Sequence, residues 1–140
     1  GLNRGDAYDY AMSDKKAGGL AQFIPETYAR IRGDYPDAKL IDGFIDGMRD
    51  HVNAVMAQYC LNDWSLSQLT GDERAELAKD DEELGAWLAA AYNAGAHRAV
   101  PAYRDDRRRW DQKGYGLPGD TPVYVKEFRS VYKLLFSSPD

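Results

Sequence analysis

Apolar residues recur along this chain at three- and four-residue intervals, and no stretch alternates apolar with polar residues convincingly as a half-buried strand would. That period confines the chain to helices, because side chains three and four apart share one helical face, whereas a strand needs a period of two. Leu40, Phe44, Met48, Val52, Val55, Met56 and Tyr59 predict a helix ending near Cys60 with these residues on one face. Gly43 and Gly47 fall inside it and cost roughly 1 kcal/mol each relative to Ala, unless they let another backbone approach closely. Leu84, Trp87, Leu88, Ala91 and Tyr92 form a second stripe, and their neighbours Ala86, Ala89 and Ala90 suit a centrally buried helix ending near Gly95. Thr121-Pro122 reads as an N-cap followed by proline at the first helical position, with Val125, Phe128, Val131, Tyr132 and Leu135 as the apolar face. A shorter helix is predicted to start at Pro25, with Glu26 near the positive end of the dipole, and to stop before Gly33-Asp34-Tyr35-Pro36. The expected fold class is mainly α.

A chain of 140 residues that is 44% hydrophobic and carries ten tyrosines, four phenylalanines and three tryptophans can bury a substantial core. No segment repeats and none is low-complexity enough for a linker, so residues 1–140 are expected to form a single domain. The net charge of −5 disfavours general nucleic-acid binding, since a phosphate backbone selects a basic field. The one basic cluster, Arg104, Arg107, Arg108 and Arg109, is interrupted by Asp105 and Asp106 and reads as a solvated face. Apolar runs are only a few residues long, too short to span a membrane. The chain opens at Gly1 without an initiator Met or a basic-then-apolar leader, the pattern expected of a processed product or a fragment. The single cysteine, Cys60, excludes an internal disulfide and any cysteine-rich metal site.

The sequence carries few signatures of general catalytic or cofactor chemistry. His51 and His97 have no Cys, His or Glu at metal-ligand spacing around them, so no metal is expected. His51 reads as a helix-surface residue, and His97 as a residue just past a helix end that favours the dipole. There is no phosphate loop, no dinucleotide fingerprint and no Gly-x-Ser-x-Gly elbow, and no cofactor is expected. Asp80/Asp81 and Asp105/Asp106 are adjacent acids on polar stretches, the pattern of solvent-facing or capping residues rather than opposed catalytic carboxylates.

Three segments are less generic. Ser13 to Thr27 (SDKKAGGLAQFIPET) brings a polar, glycine-containing turn beside Gln22, whose amide donates and accepts at once. Ala90-Ala91-Tyr92-Asn93-Ala94-Gly95 places a hydroxyl and an amide at the exit of an Ala-rich helix. Leu117 to Val125 (LPGDTPVYV) puts Tyr124 in the first turn of the last helix. Singly, each has a plain reading as a cap or a packing residue. In this order and spacing they resemble the lytic transglycosylases, goose-lysozyme-like enzymes that cleave bacterial peptidoglycan. The first family motif, Ser-x-x-Gly-Ala-x-Gly-Leu-Met-Gln then Pro-x-Thr, is matched at Ser13, Ala17, Gly19, Leu20, Gln22, Pro25 and Thr27, with Lys16 for Gly and Ala21 for Met. The second, Ala-Tyr-Asn-Ala-Gly, is intact at Ala91 to Gly95. The third, Leu-Pro-x-Glu-Thr-x-x-Tyr-Val, is matched with Asp120 in place of Glu.

The resemblance implies a lysozyme-like helical domain with a groove that holds a glycan strand. Gln22, Tyr92 and Asn93 would line the reaction centre, with Tyr124 in support and Ser13 among the substrate-binding residues. It implies one carboxylic acid that protonates the oxygen between N-acetylmuramic acid and N-acetylglucosamine. The same group then accepts the C6 hydroxyl proton as the sugar closes to a 1,6-anhydro product. Such an acid needs a pKa raised by an apolar setting. Peptidoglycan as the partner implies a periplasmic or cell-surface location, which a lone Cys60 suits if it is buried.

The expected glutamate is missing from its place. The family's acid lies nine residues before the motif serine, and counting back from Ser13 without gaps reaches Arg4, which never gives up its proton at working pH. The six glutamates begin only at Glu26. Either Gly1-Leu2-Asn3 corresponds to the Gly-Phe-Asn that follows the family's Glu-Ser, with the acid just upstream of Gly1 and part of the N-terminal helix missing, or the domain is a non-catalytic glycan-binding relic. The match of Gly-Leu-Asn favours the first. Asp6 and Asp9 are short arms for a site where about an ångström decides the rate. Glu26, at a helix start, would have its pKa pushed down.

Overall fold

The computed structural model describes residues 23–136. Ser13, Gln22 and most of the first motif lie outside the described residues. Within them the chain forms α1 (Pro25–Asp34), a 3-10 turn (Pro36–Ala38), α2 (Phe44–Arg49), α3 (His51–Ser67), α4 (Gly71–Leu77), α5 (Asp81–Ala94), α6 (Ala96–Asp105) and α7 (Thr121–Phe136). Apart from a single bridge residue at Phe23, the described residues contain no strand, and the protein is mainly α. They fall into two compact units that meet in sequence at Trp64 and Ser65.

In the first unit, Pro25 opens α1 with its fixed φ, and the helix runs through Gly33 to Asp34, slightly past the predicted stop. Phe23, Tyr28, Ile31, Leu40, Met48, Ala54, Ala57 and Cys60 form the core. The helix predicted from Leu40 to Cys60 is two helices. Leu40 precedes both, the chain breaks at Asp50 (φ −80°, ψ 110°), and α3 continues past Cys60 to Ser67. The break is built from polar groups that helical periodicity does not weigh. The Asp50 carboxylate accepts the Asn53 N–H at 2.8 Å, capping α3. The buried Asn53 amide donates to Tyr28 Oη (2.9 Å) and the Gly47 carbonyl (2.8 Å), and its Oδ1 accepts from the Ile41 N–H (2.8 Å). Tyr28 in turn donates to the Ile41 carbonyl at 2.7 Å.

This knot re-aims α3. Asn53, Ala54, Ala57 and Cys60 are buried, whereas the predicted core residues Val52, Val55, Met56 and Tyr59 are exposed. Gly47 serves a close approach, though of a side chain rather than a backbone: a Cβ there would stand 2.4 Å from Tyr28 Oη. Cys60 is buried, and desolvation, with the nearby Asp63 carboxylate, pushes its thiol pKa up.

In the second unit α5 packs against α6 and α7 around Trp87, Trp110, Leu77, Ala86, Ala90, Ala99 and Val125. The Ala-rich stretch of α5 is buried and ends at Gly95 as the sequence predicts. Gly85 leaves the seat for the Phe128 ring, whose Cζ would lie 2.4 Å from a Cβ at that position. The Trp87 indole N–H is buried without a partner among the described residues, a cost of about 1–3 kcal/mol that is offset by the ring's burial. Asp80 caps α5, accepting from the Glu82 and Glu83 N–H groups, in accord with the capping reading of that acid pair.

Two helices were not anticipated. α4 begins in a reciprocal capping box between Thr70 and Glu73, a Thr-x-x-Glu signature that the apolar periodicity does not carry. α6 contains Pro101 and takes in His97, which stands three residues past the end of α5, as the sequence predicts, but within the first turn of the next helix. The basic cluster is solvent-facing but largely anchored within the chain: Arg104 chelates Glu73 (2.7 and 2.9 Å), Arg109 pairs with Asp106 and Tyr115, and Arg107 lies over the Tyr103 ring. On α7, Val125 is buried and Phe128 and Tyr132 are half-buried, but Val131 and Leu135 are exposed, so the predicted apolar face is used only in its first half.

Candidate functional site

The exit of α5 and the entry of α7 converge within the second unit. Gly95 ends α5 at φ 89° and ψ 145°, a backbone that residues with a Cβ avoid. That turn separates α5 from α6 and leaves Tyr92 half-buried and Asn93 exposed on the last turn of α5. Across from them, the Asp120 carbonyl accepts the Val123 and Tyr124 N–H groups, so Asp120 rather than Thr121 is the N-cap of α7. The predicted cap is therefore displaced by one residue, and the Thr121 hydroxyl has a different task. It donates to Asn93 Oδ1 at 2.8 Å, from a residue that is almost fully buried.

That bond joins the second and third motifs. With its oxygen engaged, Asn93 presents its NH₂ as a donor. Tyr92 has its pKa pushed up to about 12 by burial and, secondarily, by the neighbouring Tyr124. Its phenol therefore stays protonated and uncharged throughout the physiological range. Tyr124 is 38% exposed. The arrangement is a surface of neutral donors and aromatic faces, suited to an uncharged, oxygen-rich ligand rather than to an ion. Of the residues predicted from sequence, Tyr92, Asn93 and Tyr124 are brought together, whereas Ser13 and Gln22 lie outside the described residues.

Sequence reasoning missed the braces of this site. Half-buried Arg129 of α7 donates to Glu83 Oε2 at 2.6 Å and to Asp111 Oδ2 at 2.9 Å, and it reaches Glu82 at 3.4 Å. Glu83 also accepts the Trp110 indole N–H at 2.7 Å. Together these tie α7 and the segment leading into it to α5, and so fix Thr121 against Asn93. Only the mixed charge of these segments hints at the network, since its members are far apart in sequence.

All six glutamates fall within the described residues, and none has the setting of a general acid. Glu73 is held down to about 2, chiefly by its hydrogen bonds from Arg104. Lys79 lowers Glu76, Glu82 and Glu83 face Arg129, and Glu26 and Glu127 are exposed. The described residues contain no cluster of His, Cys, Asp and Glu that could hold a metal ion, and no helix long and apolar enough to cross a membrane. No family model, curated protein or solved structure matches this chain.

Proposed function

We propose that this chain is a lysozyme-like domain of a peptidoglycan lytic transglycosylase, with the glycan strand lying in a groove past Tyr92, Asn93 and Tyr124. The observation that carries the reading is the Thr121–Asn93 hydrogen bond. Two segments picked out by motif alone, 28 residues apart, meet through their own motif residues and present neutral donors on one surface. Sugar hydroxyls and acetamido groups are bound by such donors and aromatic faces.

In this reading Asn93 and the two phenols hold the sugar around the scissile bond. A carboxylic acid outside residues 23–136 protonates the bridging oxygen and then takes the C6 hydroxyl proton as the anhydro ring closes. No water is consumed, in contrast to two-carboxylate glycosidases. The substrate places the protein in the periplasm or at the cell surface. Release of anhydro-muropeptides from purified peptidoglycan tests the reading. A chain extended upstream through a glutamate is expected to release them and the 140-residue chain to release few or none. Strong release by the short chain would show that the acid lies within it.

The second reading is a non-catalytic glycan-binding module, favoured by the exposure or ion pairing of all six glutamates. Glycan affinity without turnover in every extended chain would select it. Affinity that is indifferent to Tyr92→Phe and Asn93→Ala would remove both readings in favour of a protein-interaction domain.

A further inference from the structure

Helix α3 is apolar on two opposite faces, and the first unit covers one of them. Ala54, Ala57 and Cys60 are buried in the core of that unit. On the other side Val52, Val55, Met56 and Tyr59 stand at i, i+3, i+4 and i+7, a spacing that sets them in one stripe about two turns long. They are 78%, 48%, 44% and 69% exposed. A globular helix that is apolar all round is normally covered all round. No charged residue interrupts the stripe, since the residues between are Asn53, Ala54, Ala57 and Gln58. The carboxylates at its two ends are engaged within their own chain. Asp50 caps α3 by accepting the Asn53 N–H at 2.8 Å, and Asp63 accepts from the Tyr35 hydroxyl at 2.8 Å. The four side chains together expose on the order of 450 Å² of mostly apolar surface, a patch of the size that marks an interaction surface rather than scattered surface residues.

The stripe is complementary to itself. Its small end is Val52, its large end is the Tyr59 ring, and Val55 and Met56 lie between them. Two copies crossed antiparallel set each Tyr59 against Val52 of the other copy, large against small, with the two-fold axis passing between Val55 and Met56. A parallel pair would instead set ring on ring at one end and leave a gap at the other. The antiparallel pair covers on the order of 900 Å² from the stripes alone, and a polar rim brings it to about 1,200 Å², the lower end of the range for a specific interface. We propose that the protein pairs with a second copy of itself through this face of α3, in a weak and concentration-dependent dimer. The surface belongs wholly to the first unit and uses none of the residues of the glycan reading, so either can fail alone.

Analytical ultracentrifugation of the 140-residue chain at concentrations from about 1 to 500 μM tests it. The mass is expected to rise from that of one chain toward that of two, with the midpoint at tens of micromolar. Val52→Glu and Tyr59→Lys each bury a charge against an apolar partner and are expected to weaken the dimer roughly tenfold. An equal mixture of the two variants associates more tightly than either alone, because the antiparallel pair sets the new carboxylate against the new ammonium. Both sites are the most exposed of the stripe, so circular dichroism should show native helix content in each. Val55→Ala removes apolar area with neither a charge nor a loss of helix propensity, and is expected to weaken the dimer about threefold. A native chain that stays monomeric at every concentration overturns the proposal. Association that none of the three variants weakens belongs to another face and overturns it as well. A mixture no tighter than its components overturns the antiparallel pairing.

Discussion

A single hydroxyl does more at this site than its sequence context indicates. Thr121 sits where an N-cap is expected, yet its oxygen is spent on Asn93 across the unit rather than on its own helix. Thr121→Val keeps the shape and removes the donor. It is expected to cost about 1 kcal/mol in chemical denaturation and to weaken glycan binding by letting the Asn93 amide turn. Tyr92 yields a prediction in pH. Its phenol pKa of about 12 lies above the ordinary value of 10.0, so the unfolded chain ionises first. The stability linked to Tyr92 is full below about pH 10 and is lost as pH rises from there toward 12. Phenolate absorbance during alkaline titration should show several tyrosines ionising late, since burial also pushes Tyr35 and Tyr103 up, and the amplitude of that late component should fall by one tyrosine in Tyr92→Phe.

At the scale of elements, glycine and asparagine decide what apolar periodicity leaves open. Sequence alone favours replacing Gly47 with alanine, by roughly 1 kcal/mol of helix propensity. The structure reverses the sign, because the new Cβ would stand 2.4 Å from the hydroxyl of a fully buried tyrosine held by two hydrogen bonds. Gly47→Ala is expected to destabilise by about 1–3 kcal/mol, read as a lower urea midpoint at unchanged slope. Asp50→Ala removes the cap of α3 and should cost about 1 kcal/mol. Helices α1, α5 and α7 were legible because proline starts, a glycine stop and contiguous apolar stripes agree with one another. The helix from Leu40 to Cys60 was not, because its stripe is continuous in sequence while Asp50 and Asn53 divert the backbone through bonds to partners as far away as Tyr28. α4 was legible in principle, through Thr70 and Glu73, but its signal is polar.

For the molecule as a whole, the ion pair with the most buried carboxylate among the described residues is Glu73 with Arg104. Glu73 is depressed to about 2 from an ordinary 4.5, so its contribution is present above about pH 4.5 and is lost as pH falls from there toward 2. Thermal melts across that window should fall for the native chain and fall less for Glu73→Gln, which has no carboxylate to titrate. The sequence by itself determined the helical class, because a period of three to four admits no other regular structure. It also marked Tyr92, Asn93 and Tyr124, through short motifs whose spacing is local. The tertiary structure decided which apolar stripes are buried, which glycines can be replaced, and that Asn93 meets Thr121 while Arg129 braces the pair. Those outcomes depend on contacts between residues 12 to 47 positions apart. Such contacts are selected by the packing of whole helices, which no window of sequence contains.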